Sequence, residues 1–554
     1  MKKITLIVEA LMLVCTGIYS SARDNVTGCI SCDGNGVAGV SVTDGYEWAV
    51  TDANGCYSMK SDKKNGYVFY VLPSGYESVS TNVHQPQFWA PLDKNAGTCE
   101  RHDFQLRKVN NDNHRIIVAT DLHLAGQNDD VQQCKDLFMT SVARVTAQSH
   151  DPVYTFLLGD TSFDQFWYCN KFDLSNYLQM MADSKYPTPV YHVMGNHDND
   201  ASTPASARCD FLSSKAFTNL LGPRYYSLNL GKLHIVVLDD IVYKNNPTTD
   251  PQNIGIAGDQ SYDRKLTQEQ LDWLSEDLER VTDKTTPIIL AIHVQNWRIS
   301  TDGKFDVVPN LAEESCHRLD RLFEGFSNVN IISGHTHYKF HAHPEQYPNI
   351  HENNIAALCG SFWLTGNYSG RHLCWDGSPG GYELFDINGR DIKWQYIPVD
   401  PVDSVGNHQM RVYDMNAVRT FFSSSREVRK LAEFYPKLYP YYQKTFGNVP
   451  ENQIMINVFD YDTDWKVEVI EDGAPLEVKR TVGVDPFYIL GANAAYIGIE
   501  DRPNGLLNPL KTTHLFVAQA TTRNRPVQVR VTDSFGRTYT ETLSRPKAFN
   551  ASMR

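Results

Sequence analysis

Apolar runs of five or six residues, rich in Val and Ile, recur through the middle of the chain: Arg115 to Thr120, Val153 to Leu158, Pro189 to Met194, Pro287 to Ile292 and Val329 to Ser333. Runs that are continuously apolar at this length predict strands buried on both faces, as in a sheet covered by helices. Between them the period lengthens to that of a helix. Thr267 and Gln270 stand at capping-box spacing, and the segment they open places Leu271, Leu274 and Leu278 on one face. Residues 109–400 therefore read as strands alternating with helices. The flanks read differently. Short alternating stretches from Asn25 to Arg107, such as Val26 to Ile30 and Val40 to Thr43, are broken by Asp44-Gly45 and Asn54-Gly55, which are hairpin signals. Ile454 to Phe459, Trp465 to Ile470 and Val527 to Thr532 alternate again, with Glu471-Asp472-Gly473 as a turn, after a helical segment near Ser425 to Gln443. The pattern predicts a β-sandwich over 23–108, an α/β domain over 109–400, and a C-terminal domain over 401–554 made of a helical link and a second sandwich.

Each buried run ends on polar chemistry: Asp121-Leu122-His123, Gly159-Asp160, Gly195-Asn196-His197-Asp198, His293, and Gly334-His335-Thr336-His337. In sheets with helical crossovers, ligands collect outside the carboxyl ends of the strands, so these distant residues can meet around one point. Imidazole, carboxylate and amide donors without a thiolate suit hard or borderline divalent ions. Seven such ligands are too many for one tetrahedral ion and suit two ions sharing a carboxylate, which in hydrolytic sites lie about 3.5–4 Å apart. Asp160 is the candidate bridge, because a carboxylate has two oxygens to share and an imidazole offers a metal one nitrogen.

In order and spacing these blocks resemble the calcineurin-like metallophosphoesterases, whose pattern runs Asp-x-His, Gly-Asp, Gly-Asn-His-Asp/Glu, His, Gly-His-x-His. The resemblance implies a four-layer α/β/β/α sandwich core. It also implies Asp121, His123, Asp160 and His337 around one metal, and Asp160, Asn196, His293 and His335 around the other. His197 then faces the substrate as the general acid, with Asp198 expected to hold its other ring nitrogen. A hydroxide bridging the two ions is the implied nucleophile for hydrolysis of a phosphomonoester or phosphodiester, and Mn, Fe and Zn all accept such ligands. One departure stands out: the family often reads Gly-Asp-x-x-Asp, whereas Asp164 comes one place late, which leaves its role open. Phe163 occupies the position where purple acid phosphatases, similar in ligand layout, place an iron-binding tyrosine; a phenyl ring has no oxygen to offer. The stretch also lacks the Asp-Arg-Gly continuation of Ser/Thr protein phosphatases. The N-terminal segment resembles a prealbumin-like sandwich, and the whole resembles an exported bacterial subgroup with a sandwich on either side of the core.

Composition narrows the partners. A chain of 554 residues, 41% hydrophobic and 21% charged, suits two to four globular domains. Its net charge of −14 and lack of a basic block disfavour nucleic acid, leaving a phosphorylated small molecule, glycan or lipid head group as substrate. Met1 to Ala22 joins a charged end, an apolar stretch and small residues, the pattern of an export signal, and predicts a periplasmic or extracellular protein. Cys15 stands where a lipid-attachment cysteine would be, but Val14 is bulkier than that signal prefers. Without Cys15, ten of the 11 cysteines remain, an even number that an oxidising compartment permits to pair. Gly-rich loops beyond the last block offer Trp363 and Asp376 as candidate substrate contacts. The non-enzymatic alternative is an exported carbohydrate- or surface-binding protein with an inactive core.

Overall fold

The computed structural model describes residues 24–81, 84–399, 408–507 and 509–551. The expected export segment 1–22 and the 400/401 boundary lie outside the described residues.

The five apolar runs are strands. Val190–Val193, Val153–Leu158 and Asn113–Ala119 lie parallel; Gly381–Asn388 adds antiparallel to Asn113–Ala119, and its hairpin partner Asp391–Pro398 completes the five-stranded sheet. A six-stranded sheet runs Tyr226–Leu230, Leu233–Val237, Ile288–Val294, Val329–Gly334, Ile350–Asn354, Phe340–Ala342. Its four middle strands are parallel, and a bulge interrupts the register between Ala291 and Val294, just where His293 leaves the ladder.

Side-chain parity places these sheets face to face. Ile116 and Val118 point into a core shared with Ile235, Ile289 and Ile332 of the other sheet, while Ile117 and Ala119 point outward to Phe138, Tyr177 and Met181. The helix supplying Tyr177 and Met181, Leu174–Asp183, is started by a reciprocal Asp173–Asn176 capping box. Helices Gln268–Arg280 and Glu313–Arg321 bring Leu271, Leu274, Leu278 and Leu319 into the core of the six-stranded sheet. The result is the four-layer α/β/β/α sandwich. Thr267 caps its helix as expected, accepting from Gln270 N at 3.4 Å, but the Gln270 side chain does not close a box: it pairs with both backbone groups of Asp239 at a strand end.

The N-terminal region folds into two small sheets. One centres on Val26–Cys32, paired with Phe104–Lys108 and Cys56–Met59 and tied by the Cys29–Cys56 disulfide; the other holds Ser41–Thr43 and Tyr67–Tyr70. Cys29 therefore does not pair with Cys32, which is free. Trp48 stacks on Trp273 of the core at 5.9 Å, and Asn229 N donates to Leu72 O, so the sandwich is seated on the α/β core. The C-terminal region has two four-stranded sheets behind helices Met415–Ser424 and Arg426–Phe434. Asp472 and Gly473 both have positive φ in the two-residue turn closing Glu471 against Ala474, as a tight hairpin requires. Its strands are interrupted by a helical stretch, Tyr488 to Glu500, which the sequence pattern did not announce.

Candidate metal centre

The five polar blocks converge at one rim. Asp121 follows Asn113–Ala119, Asp160 follows Val153–Leu158, Asn196 and His197 follow Val190–Val193, and His335 and His337 follow Val329–Gly334. The turns that redirect these side chains are strained. Asp121, His123, Asp160, His335 and His337 have φ of 53°, 44°, 49°, 68° and 55°, in the left-handed region that non-glycine residues seldom occupy. Such outliers persist only where the surroundings over-determine them. Here the loops pin one another: Asp121 N donates to Gly159 O, His123 N to Asp160 O, and His335 N to Asp121 Oδ2 at 2.8 Å. Gly159 is required for the close approach, since at φ 90° a Cβ would lie 2.6 Å from His293 Nδ1.

Two groups of ligand-capable atoms share Asp160. Asp121 Oδ1 lies 3.7 Å from His123 Nε2 and 3.6 Å from His337 Nε2, and those nitrogens are 3.0 Å apart. Asp160 Oδ2 lies 3.5 Å from His123 Nε2 and 3.3 Å from His293 Nε2. His293 Nε2 is in turn 3.1 Å from Asn196 Oδ1, and His335 joins Asp160 and His293 in a group whose donor atoms lie within 4.8 Å of one another. Backbone carbonyls fix two tautomers: His293 Nδ1–H donates to Leu158 O at 2.7 Å and His337 Nδ1–H to Gly360 O at 3.0 Å. In the neutral ring each Nε2 is then left with a lone pair facing inward, which is what a metal ligand needs.

The electrostatics point the same way. Burial keeps His335 and His337 neutral, pushed down to about 3 and about 4. Burial also opposes charge on Asp160, but the His293 and His197 rings hold its carboxyl well below the usual range. Asp160 overrides the burial of His293 and pushes it up to about 10. The protein atoms alone thus leave these carboxylates in want of positive charge. Asp121 Oδ1 is buried without a hydrogen-bond partner, an unmet acceptor facing two imidazoles. A divalent cation fits both requirements.

His197 stands beside the group with a quarter of its side chain exposed, its backbone N–H donating to Asp160 Oδ1 at 2.7 Å. Its Nδ1 pairs with Asp164 Oδ1 at 2.7 Å, not with Asp198. The short helical turn Asn196–Asp198 turns the Asp198 carboxylate inward, where it accepts from Gly195 N, Thr161 N and Ser162 N and so clamps two loops together. Asp164 was the acid whose offset obscured its role. Gln260 Nε2 donates to its other oxygen at 2.7 Å.

Both expected substrate contacts are structural. Trp363 is fully buried, its Nε1–H donating to Leu122 O at 2.8 Å. Asp376 is fully buried too, accepting from Lys339 N, Ser378 N and His514 Nε2. Their neighbours face the site instead. Phe362 packs on His123 and His337 with ring centroids 4.8 Å away in each case and stacks on Phe163, while Trp375 stacks on His337 at 4.8 Å. A single aromatic residue in a turn carries no sequence signal of which way it faces.

Comparison with known proteins places this geometry. Residues 114–339 match the family described as calcineurin-like phosphoesterase, residues 24–109 its N-terminal region and residues 352–539 its C-terminal region. The chain belongs to the calcineurin-like phosphoesterases and is a metal-dependent phosphoesterase. A search of curated protein sequences finds no match. Among solved structures it is similar to a dimetal phosphatase from Danio rerio, at 11% identity over 51% of this chain and 95% of that one, with a TM-score of 0.33. A purple acid phosphatase from yellow lupin (Lupinus luteus) seeds is similar at 11% identity over 64% and 56%, TM-score 0.35. PhoD is similar at 11% identity over 66% and 84%, TM-score 0.32.

Proposed function

We propose that the protein is an exported hydrolase of phosphorylated small molecules working with two divalent cations. Asp121, His123, Asp160 and His337 hold one, and Asp160, Asn196, His293 and His335 hold the other. The observation that carries this reading is a single oxygen, Asp160 Oδ2, poised between His123 Nε2 and His293 Nε2. When bound, such cations supply a nucleophilic water at neutral pH and positive charge for the phosphoryl oxygens.

The chain's own residues do the rest. Asp164 takes the Nδ1 proton of His197 in a hydrogen bond, fixing the ring so that Nε2 delivers a proton to the departing oxygen. Burial opposes a charge on this ring, but Asp160 and then Asp164 raise its affinity for the proton, to about 9. Phe163, Phe362 and Trp375 give the leaving group an apolar wall. A protein that only stored metal or bound glycans would have no use for the His197–Asp164 pair.

Export is supported by the charged and apolar pattern of Met1 to Ala22 and by the Cys29–Cys56 disulfide, which suits an oxidising compartment. Among the described residues no helix is long and apolar enough to cross a membrane. The test is a panel of chromogenic phosphomonoesters and phosphodiesters, with single-stranded DNA beside it, assayed with Mn²⁺ or Zn²⁺ and with chelator. Metal-dependent turnover of one ester class is expected; silence throughout, in protein shown to hold metal, defeats the proposal.

A further inference from the structure

We propose a further cation site, apart from the catalytic one, where the edge of the six-stranded sheet meets the C-terminal domain. Its ligands are His341, His351 and Asp462. His341 lies on the edge strand Phe340–Ala342 and His351 on its neighbour Ile350–Asn354. The antiparallel register pairs His341 with Asn353 and Ala342 with Glu352, so the next pair outward is His343 with His351. Those two rings stack at 4.5 Å and 7°, while the His341 ring, 5.1 Å from His351 and tilted by 16°, meets it edge to edge, nitrogen to nitrogen. Asp460 and Asp462 arrive from the other domain, just after strand Gln453–Val458.

The hydrogen bonds orient each donor toward one point. His341 Nε2–H donates to Asp460 Oδ1 at 2.7 Å, which leaves the Nδ1 lone pair facing His351 Nε2 at 3.0 Å. A carboxylate behind a ligating imidazole is the usual way such a ring is fixed and made more basic. Asp462 Oδ1 accepts from His343 Nε2 and Thr463 N, and this turns Oδ2 toward His351 Nε2, 3.7 Å away. The three ligand atoms lie within 4.8 Å of one another. Tetrahedral zinc with bonds of about 2.0–2.1 Å has ligand–ligand edges of about 3.3 Å, between the two distances seen here.

A plain hydrogen bond from His351 to His341 accounts for one of those edges. It gives no reason for a carboxylate to complete the triangle from a different domain. Nor does it explain why that carboxylate is itself held in place by a third imidazole, His343. Trp394 covers one side of His351 at 5.0 Å, while His343, with almost half its side chain exposed, marks the open side. Two imidazoles and one carboxylate, with solvent or His343 to complete the shell, suit Zn²⁺ among biological cations. Its effect would be to staple the C-terminal domain to the catalytic sheet.

The proposal does not depend on the hydrolytic reading, and its test keeps the two apart. Full-length protein is stripped with chelator and reloaded with Zn²⁺, and metal per chain is counted for wild type, His351→Gln, Asp462→Asn and Asp160→Asn. The first two variants should each hold one Zn²⁺ fewer than wild type while keeping phosphoesterase activity, and Asp160→Asn should lose catalytic metal but keep this equivalent. Crystals of Zn²⁺-loaded wild-type protein should show anomalous density between His341, His351 and Asp462, a readout that no folding defect in a variant can obscure. Equal metal in wild type, His351→Gln and Asp462→Asn, or no anomalous peak at that position, overturns it.

Discussion

Replacing Asp164 with Asn tests how the acid step is built. The change keeps the shape of the side chain and removes the charge that faces His197 Nδ1 at 2.7 Å. Asp164 is buried, so little solvent screens the pair. A hydrogen bond involving a charged partner is worth about 1.5–3 kcal/mol, which corresponds to a loss of about 10- to 150-fold in kcat where proton donation limits turnover. The loss should depend on the leaving group. An alkyl phosphate, whose alkoxide departs poorly, should show it in full, whereas a nitrophenyl phosphate, whose anion leaves with little help, should show far less. Losing the Asp164 charge also weakens the hold on the His197 proton, so the alkaline limb of kcat should move to lower pH. Metal content should stay at the wild-type value, because Asp164 is not among the proposed ligands. Equal losses on both ester types, or bound metal falling in step with activity, would refute the assignment of Asp164 as the residue that positions His197. The partner experiment is Asp198→Asn, which should unsettle the loops through Gly195, Thr161 and Ser162 and so lower metal retention.

Other changes separate the remaining roles. His197→Ala should cut kcat by roughly 10²- to 10⁴-fold with metal content kept, whereas Asp160→Ala should lose both; metal analysis beside kinetics decides, and equal metal loss would sink the distinction. Trp363→Phe should cost about 1 kcal/mol of stability through the lost bond to Leu122 O, seen in denaturant melts, with KM unchanged. Phe362→Ala should instead raise KM several-fold for aryl phosphates, measured beside an alkyl phosphate as control. Cys29→Ser opens a loop closed across 27 positions and should cost about 3.5 kcal/mol in oxidising buffer, a difference that reductant should abolish by bringing wild type down to the variant.

Much of the core was legible because the signal repeats. Five continuous apolar runs, each ending on Asp, Asn or His, define both a sheet buried on two faces and the rim where its ligands gather. The choice between Asp164 and Asp198 was not legible, because it turns on local dihedral angles: the short turn at Asn196–Asp198 sends the carboxylate next to His197 into backbone amides, and the acid displaced by one position reaches the ring instead. The same holds for Phe362 and Trp363. Both have positive φ, at 54° and 63°, in a turn with no regular parity, so adjacent rings face opposite ways. The cluster of His341, His351 and Asp462 joins residues of two domains, and no spacing in the chain marks it.

The strained turns bear on how the whole site is held. A left-handed conformation costs a non-glycine residue roughly 1–2 kcal/mol, and five of the proposed ligands adopt it. Taken together that is of the same order as the net stability of a typical domain, about 5–15 kcal/mol. No single loop could carry it alone. The cost is spread because each strained residue is pinned by the next loop: His123 N reaches Asp160 O, His335 N reaches Asp121 Oδ2, and Asp198 binds the amides that follow Asp160. The rim therefore behaves as one unit resting on two packed sheets, and the ligand atoms converge before any cation arrives. Such preorganisation explains why the glycines of the motif are as necessary as its ligands: a Cβ on Gly195 would lie 2.2 Å from Asp160 N, and one on Gly334 1.9 Å from Thr120 Oγ1, breaking the contact between loops on which the strain is distributed.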